Sequence, residues 1–383
     1  MAHRTNGMRI ALVTETFPPE INGVALTVKQ FADQLSGLGH EVLIARPRQA
    51  HEARAEKRSG EVLSRGMALP RYPGLRFGLP SGRALREQWS AARPDAVYIA
   101  TEGPLGWSAL GTARRLALPV ATGFHTRFDL FVEHYGAGLL RPLALAWMRR
   151  FHNRAQATLV PTEEMRDWLE RAGIRNPVRL ARGVDTALFT PERRDDALRQ
   201  AWGLDADDLA VIHVGRIAPE KNLSLVTRAF DAIRACVPSA KLVWVGDGPA
   251  LAEMRRRHHD HVFCGMQRGE ALARHYASGD LFLFPSLTET FGNVVIEAMA
   301  SGVAVVAYHT GAAREHLDGC EHAAPIEPGD ESAFVATALR LAIATQRRQQ
   351  FGAWCHAKVA ALSPRAVAGR FAELLGGLAG ARA

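Results

Sequence analysis

Glu289 and Glu297 stand eight residues apart, on either side of a segment that can start a helix. An apolar, strand-like run ends at Pro285, a loop follows, and Gly292-Asn293 can cap a helix running through Met299. The free N–H groups around Asn293, Val294 and Val295 then point into the loop space, an anion site that the helix dipole reinforces. A carboxylate can accept two hydroxyl protons, so one glutamate can hold a sugar diol and the other a ribose diol. Two carboxylates around a phosphate-sized site suit a nucleotide sugar. Such a pair is common by itself, and an amphipathic helix with a solvated Glu297 also accounts for it. The small and apolar flanks of Glu297 weigh against that alternative.

Gly215-Arg216 closes another apolar run, and Lys221 follows five residues later. Two cations near a helix start can neutralise a diphosphate leaving group, the Arg bidentately and the Lys as a point charge. The plainer alternative is a surface pair beside a turn. His125 follows the apolar run Val120 to Phe124 and can polarise a sugar hydroxyl, although a lone His is more often structural. Asp129, nearby, is a candidate to orient an acceptor. Gly23 lets the backbone of the first loop approach a phosphate or sugar, or is an ordinary turn glycine. Arg182 and Asp185 either line a cleft or pin a hinge, and the residues leave both open. Gly246-Asp247-Gly248-Pro249 and Gly265-Met266 fall in loops after strands. Asp205-Ala206-Asp207 has a metal-binding spacing but lies in an acidic turn and reads as loop charge. No His/Cys cluster suggests another metal, and no GxGxxG follows the first strand, so a dinucleotide dehydrogenase is not supported.

These residues need elements that end in loops, and the chain supplies them by alternation. Arg9 to Glu15 reads as a strand, followed by a helix with Val24, Val28, Phe31, Leu35 and Leu38 at helical spacing and a stop at Gly39. Strands at Glu41 to Ala45, Asp95 to Ala100, Val120 to Phe124, Ala157 to Val160 and Val178 to Ala181 continue the first half, with a helix from Leu139 to Ala155. Pro47 to Arg93 is basic and weakly periodic, and predicts loop plus short helix. Residues 190–208 are the candidate linker. Alternation then resumes with strands at Leu209 to Val214, Lys241 to Val245, His261 to Cys264, Asp280 to Phe284 and Val303 to Ala307. The expected class is α/β: two Rossmann-like domains facing a central cleft, with ligands at the carboxyl ends of the strands.

A chain of 383 residues is long enough for two cores. No apolar run is long enough to span a bilayer, no signal peptide is apparent, and the four scattered cysteines read as reduced thiols of a cytoplasmic protein. Residues 1–195 carry 28 Lys and Arg against 19 Asp and Glu, a net of +9, whereas residues 196–383 carry 19 against 20. One-sided basicity points to an anionic partner or to a merely solvated Arg-rich face. Arg141, Arg149, Arg150 and Arg154 among Leu139, Leu140, Leu143, Leu145, Trp147 and Met148 make a helix that can rest on anionic lipid or pack at a domain edge.

The order PSxxETFGNVVxEAMASGxxVV over residues 285–306 resembles the retaining GT-B glycosyltransferases of family 4. ETFPPEINGV, FHTRFD, RGVDTALF, HVGRIAPEKN and VGDGP occur in that family's order, so the resemblance covers nearly the whole chain. The subgroup it resembles includes mannosyltransferases using GDP-mannose and synthases of glycosyl- and sulfoquinovosyl-diacylglycerol.

The resemblance implies an acceptor domain over 8–195, a donor domain over 196–362 and a C-terminal helix, 363–383, packed back on the first. It implies that Gly23 lies beside the donor, that His125 is the active-site His, and that Arg216 and Lys221, with Gly215, hold the pyrophosphate without a metal or cofactor. Gly246 lies on the donor-binding face, and the backbone at Met266 meets the base. Glu289, Thr290, Phe291, Gly292, Asn293 and Val294 meet the donor sugar and phosphates, and Glu297 meets the ribose. His125, Glu289, Arg216 and Lys221 form the implied catalytic set, with Asp129 and Arg182 on the acceptor side. Retention of anomeric configuration is implied by the family alone. The expected function is hexosyl transfer from GDP-mannose or a UDP-sugar to a membrane lipid, by an enzyme peripheral on the inner face of the cytoplasmic membrane. The alternatives are a soluble sugar or polysaccharide acceptor, or an epimerase of the same fold. A glycoside hydrolase needs two carboxyls but no phosphate site. Nucleic acid is not an expected partner, because the basic stretch lacks interleaved aromatics. Oligomeric state is left open.

Overall fold

The computed structural model describes residues 7–20, 22–49, 52, 60–68, 76–125, 141–287, 289, 291–322 and 324–381. They fall into two units, Met1–Arg182 with Pro364–Ala383, and Gly183–Ser363.

The first unit is built on β1 (Arg9–Val13), β2 (Glu41–Pro47), β3 (Glu61–Ser64), β4 (Gly66–Ala68), β5 (Arg76–Gly78), β6 (Ala96–Ile99), β7 (Val120–Gly123), β8 (Ala157–Val160) and β9 (Pro177–Arg179). Seven of these form a sheet in the order β3-β2-β1-β6-β7-β8-β9, parallel throughout. Ile10, Leu12 and Val13 are fully buried, as a sheet covered on both faces requires. The Asn22 side chain caps the helix Gly23–Gly37 by accepting from the amides of Val24 and Ala25. Along that helix Val28, Phe31 and Leu35 meet the C-terminal helix Pro364–Gly380, with the Phe31 and Phe371 rings 4.5 Å apart and both packed on Tyr98.

The stretch Pro47 to Arg93 contains more than a loop and the helix Gly82–Ala91. It also supplies β3 at the sheet edge and the antiparallel pair β4–β5. Strands of three or four residues are too short for alternation to show. Arg46, which had counted toward a basic surface, is fully buried and paired with Glu52 at 2.7 Å and Glu61 at 2.9 Å.

The second unit carries β10 (Ala210–Val214), β11 (Lys241–Val245), β12 (Val262–Gly265), β13 (Leu281–Phe284) and β14 (Ala304–Ala307), all parallel, in the order β12-β11-β10-β13-β14. Residues 190–208 are not a free linker. They form a 3-10 turn, Pro191–Arg193, and a helix, Asp196–Ala201, joined to this unit. Arg199 is buried there, donating to the Asp280 carboxylate at 3.0 Å and to the carbonyls of Ser278, Asp205, Ala206 and Asp208. Its charge saturates carbonyls at a chain turn, which a count of charged residues cannot reveal. The Asp205-Ala206-Asp207 segment is thus a turn closed on Arg199.

Both sheets reverse direction beside their first strand, so the loops after β1 and β6, and after β10 and β13, open at the switch points where α/β sheets bind ligands. In the second unit the loops after β10, β11 and β12 are laced by Gly215 N to Val245 O (3.0 Å), Gly246 N to Gly265 O (2.8 Å) and Ile217 N to Asp247 O (2.9 Å). Gly246 has φ +147°, and a Cβ there would lie 1.9 Å from the Gly215 carbonyl oxygen. Gly246→Ala is therefore expected to cost at least about 2 kcal/mol in urea unfolding. Gly377→Ala, at an exposed helix position with nothing within 4 Å, should be neutral or slightly stabilising.

Candidate active site

In the second unit, β10 and β13 deliver Lys221 and Glu289 to the same place. The Lys221 ammonium is in direct contact with Glu289 Oε1, which also accepts from Ser286 Oγ at 2.9 Å. The ammonium lies 5.8 Å from the Phe284 ring centroid, and both charged side chains are more than four-fifths buried. Arg216 differs: its side chain is 65% exposed and pairs only loosely with Glu220, at 3.5 Å. The two cations expected to act together are one locked lysine and one reaching arginine.

Gly292, at φ +87°, turns the chain into the helix Asn293–Ala300, and no side chain caps that start. Glu289 folds over it, its Cγ 3.6 Å from where a Gly292 side chain would begin. The leading amides at Asn293 and Val294 are left for an anion, reinforced by the helix dipole. Phe291 is a buttress: it is buried, its ring packs against His316, and its carbonyl accepts from Ala312 N at 2.6 Å. Glu297 is half-buried rather than solvated. Its Oε2 accepts from the Tyr276 hydroxyl at 3.0 Å, and burial pushes its carboxyl up to about 7. Gly215, Gly246 and Met266 lie in the laced loops, with Met266 exposed. Thr290 lies outside the described residues.

In the first unit, His125 follows β7 and both its ring nitrogens are engaged. Nδ1 faces Arg182 Nη2 at 3.1 Å, and Nε2 faces the Tyr98 hydroxyl at 2.8 Å. A guanidinium only donates, so Nδ1 accepts and the proton sits on Nε2, which donates to Tyr98 Oη. Burial, and then Arg182, hold the imidazole well below 6.5. The same arginine donates to Thr27 Oγ1 at 2.7 Å. Gly123 makes room for the pair, since a Cβ there would lie 2.1 Å from the Tyr98 oxygen. Gly23 is neither a loop nor a turn glycine; it is the first residue of the helix Gly23–Gly37, and its carbonyl accepts from Thr27 Oγ1 at 2.7 Å. Asp129 lies outside the described residues. Among the described residues, no group of three or more His, Cys, Asp or Glu is placed to hold a metal.

Two family models match the chain: Glycosyltransferase Family 4 over residues 21–188 and Glycosyl transferases group 1 over residues 208–343. A GDP-mannose-dependent alpha-mannosyltransferase of Mycolicibacterium smegmatis is 36% identical over 349 residues, covering 89% of this chain and 90% of the relative. The chain belongs to glycosyltransferase family 4. An alpha-monoglucosyldiacylglycerol synthase of Streptococcus pneumoniae is 27% identical, over 79% of this chain and 71% of the relative. Among solved structures, a sucrose-phosphate synthase of Thermosynechococcus elongatus superposes with a TM-score of 0.75 at 20% identity, over 98% of this chain and 100% of that one, which shows the shared GT-B fold.

Sequence reasoning about this glycosyltransferase missed Tyr98, Ser286 and Tyr276. Tyr98 lies in the apolar run of β6 and Tyr276 between His275 and Ala277, and only the partner each hydroxyl finds sets them apart. One expectation follows for His125. Heteronuclear NMR should show the Nε2–H tautomer and an imidazole that protonates only below the ordinary histidine range, since burial and Arg182 shift its pKa downward. A titration midpoint at or above pH 6.5 would contradict the geometry.

Proposed function

We propose that this glycosyltransferase moves a hexosyl group from a nucleoside diphosphate sugar, GDP-mannose first and a UDP-sugar second, to a membrane lipid, with retention and without a metal. One observation carries the donor half: Glu289 and Glu297 flank an uncapped helix start, with Lys221 on Glu289 and Arg216 on the loop after β10. In this scheme the phosphates take the amides at Asn293 and Val294, and Arg216 reaches over them. As the sugar–phosphate bond breaks, negative charge grows on the leaving oxygen, and Lys221 is the cation already desolvated to meet it. Glu289 accepts hydroxyls of the sugar, and Glu297 those of the ribose. A carboxylate shared between Lys221 and Ser286 is a weak nucleophile, which favours positioning over covalent attack. Arg216 and Lys221 supply the positive charge that a metal would otherwise bring. The Mycolicibacterium smegmatis relative, by its name, uses GDP-mannose.

The lipid half rests on the helix Arg141–His152. It buries Met148 and Phe151 and exposes Leu143 at 69% and Trp147 at 51%, with Arg150 and Arg154 also exposed. Arg149 is exposed as well, but its guanidinium is tied to the Ala172 carbonyl at 3.0 Å. Leu139 and Leu140, and the side chain of Arg141, lie outside the description. Exposed apolar side chains next to cations suit an anionic bilayer surface. The Streptococcus pneumoniae relative is named for a glucosylated diacylglycerol. Among the described residues no helix is long and apolar enough to cross a membrane, so attachment would be peripheral.

A thermal-shift panel of nucleotide sugars should give stabilisation by GDP-mannose, or failing that by a UDP-sugar, weakened about tenfold or more in affinity by Glu297→Ala. No stabilisation by any of them would sink the donor assignment. The enzyme should sediment with anionic liposomes at low salt, and the double substitution Leu143→Ser, Trp147→Ser should release it. Failure of the unaltered enzyme to sediment would redirect the search to a soluble sugar acceptor.

A further inference from the structure

The geometry points to Tyr276 as the residue that positions Glu297 for the nucleoside's hydroxyls, an inference that rests on the donor reading above. Glu297 sits in the second turn of the helix Asn293–Ala300 on a side chain with three rotatable bonds. Left alone, a half-buried carboxylate can rotate or take up a proton. Tyr276 restricts both, because its hydroxyl donates to Oε2 at 3.0 Å and favours the charged form. Oε1 makes no bond among the described residues and remains free to accept. A vicinal diol can then use Oε1 and the second lone pair of Oε2.

The hydroxyl is held because the ring is held. Tyr276 lies on the helix Gly269–Ala277 and is fully buried. Phe189 packs edge-on against it at 5.8 Å and 79°, and Phe282 of β13 does so at 6.0 Å and 69°. Phe189 is buried in turn and fixed by its amide, which donates to the Asp185 carbonyl at 2.7 Å. The phenol is pushed well above 10 by burial and then by Glu297 itself, so it stays a donor at any working pH. Three elements thus converge on one carboxylate oxygen without touching the ligand. Tyr276 is a positioning residue, whose contribution is realised only through Glu297 and only when the ligand carries the diol.

That condition separates it from a tyrosine that merely finds a partner for its buried hydroxyl. The test is calorimetric affinity of the full chain for GDP and 2′,3′-dideoxy-GDP, with UDP and 2′,3′-dideoxy-UDP run beside them. The unaltered enzyme should prefer the diol form by about tenfold or more, and Glu297→Gln should bring the ratio near one. Tyr276→Phe keeps the ring and should melt within a few degrees of the parent. It should weaken diol binding about fivefold and leave dideoxy binding unchanged. In turnover the donor KM should rise by a similar factor while kcat holds. If Tyr276→Phe weakens both nucleotides alike, or neither, Tyr276 has no positioning role even though Glu297 keeps its own. If the unaltered enzyme does not distinguish the diol from the dideoxy form, the assignment of Glu297 falls and this inference falls with it.

Discussion

Lys221 and Glu289 hold each other across the switch point of the second sheet, and the rest of the candidate donor site is arranged around that contact. Each comes from a loop that follows a strand flanking the reversal, so the topology alone makes them neighbours. Mostly buried charges tolerate desolvation only when paired, and removing one partner strands the other. A ligand that takes the carboxylate must therefore offer the ammonium something in return. A molecule with hydroxyls at one end and phosphate oxygens next to them does both at once, whereas a plain sugar or a plain phosphate does only one.

The first unit solves a different problem. Arg182, His125 and Tyr98 form a chain of directed hydrogen bonds with the imidazole after β7 in the middle, donating to Tyr98 of β6 and accepting from Arg182, and Gly123 gives it room. A cation beside a buried imidazole keeps that imidazole neutral. The histidine thus presents a fixed tautomer rather than a titrating group. Any hydroxyl it served would have to replace Tyr98 on Nε2.

Much of this was legible before any coordinates. The strands, their parallel alternation and the helix start at Gly292 follow from apolar runs and glycine placement, and Glu289 and Glu297 do flank that start. What did not show was partner choice. Arg46 counted toward a basic surface and is buried, and Arg199, in the expected linker, is buried as well. Lys221 was paired in expectation with Arg216 and is found on Glu289. Gly23 was expected in a loop and begins a helix. Tyr276, between His275 and Ala277, carried no signal at all, since residue type does not say which atom its hydroxyl meets. Composition and period report which face a residue takes; they do not report which atom it meets.

The C-terminal helix has a consequence for how this chain is made. Val367, Phe371, Ala372 and Leu375 complete the core that begins with Ile10 and Leu12, while the second unit opens and closes at one place, where Val184 N donates to Leu362 O at 2.9 Å. A ribosome therefore releases the second unit whole before it has supplied the last side of the first. The part of the first unit that precedes the second must wait, its apolar face open on the Phe31 side, until the helix Pro364–Gly380 clears the exit tunnel. Loss of the helix Pro364–Gly380 would thus injure the core around Ile10 and Leu12, at the far end of the sequence from it.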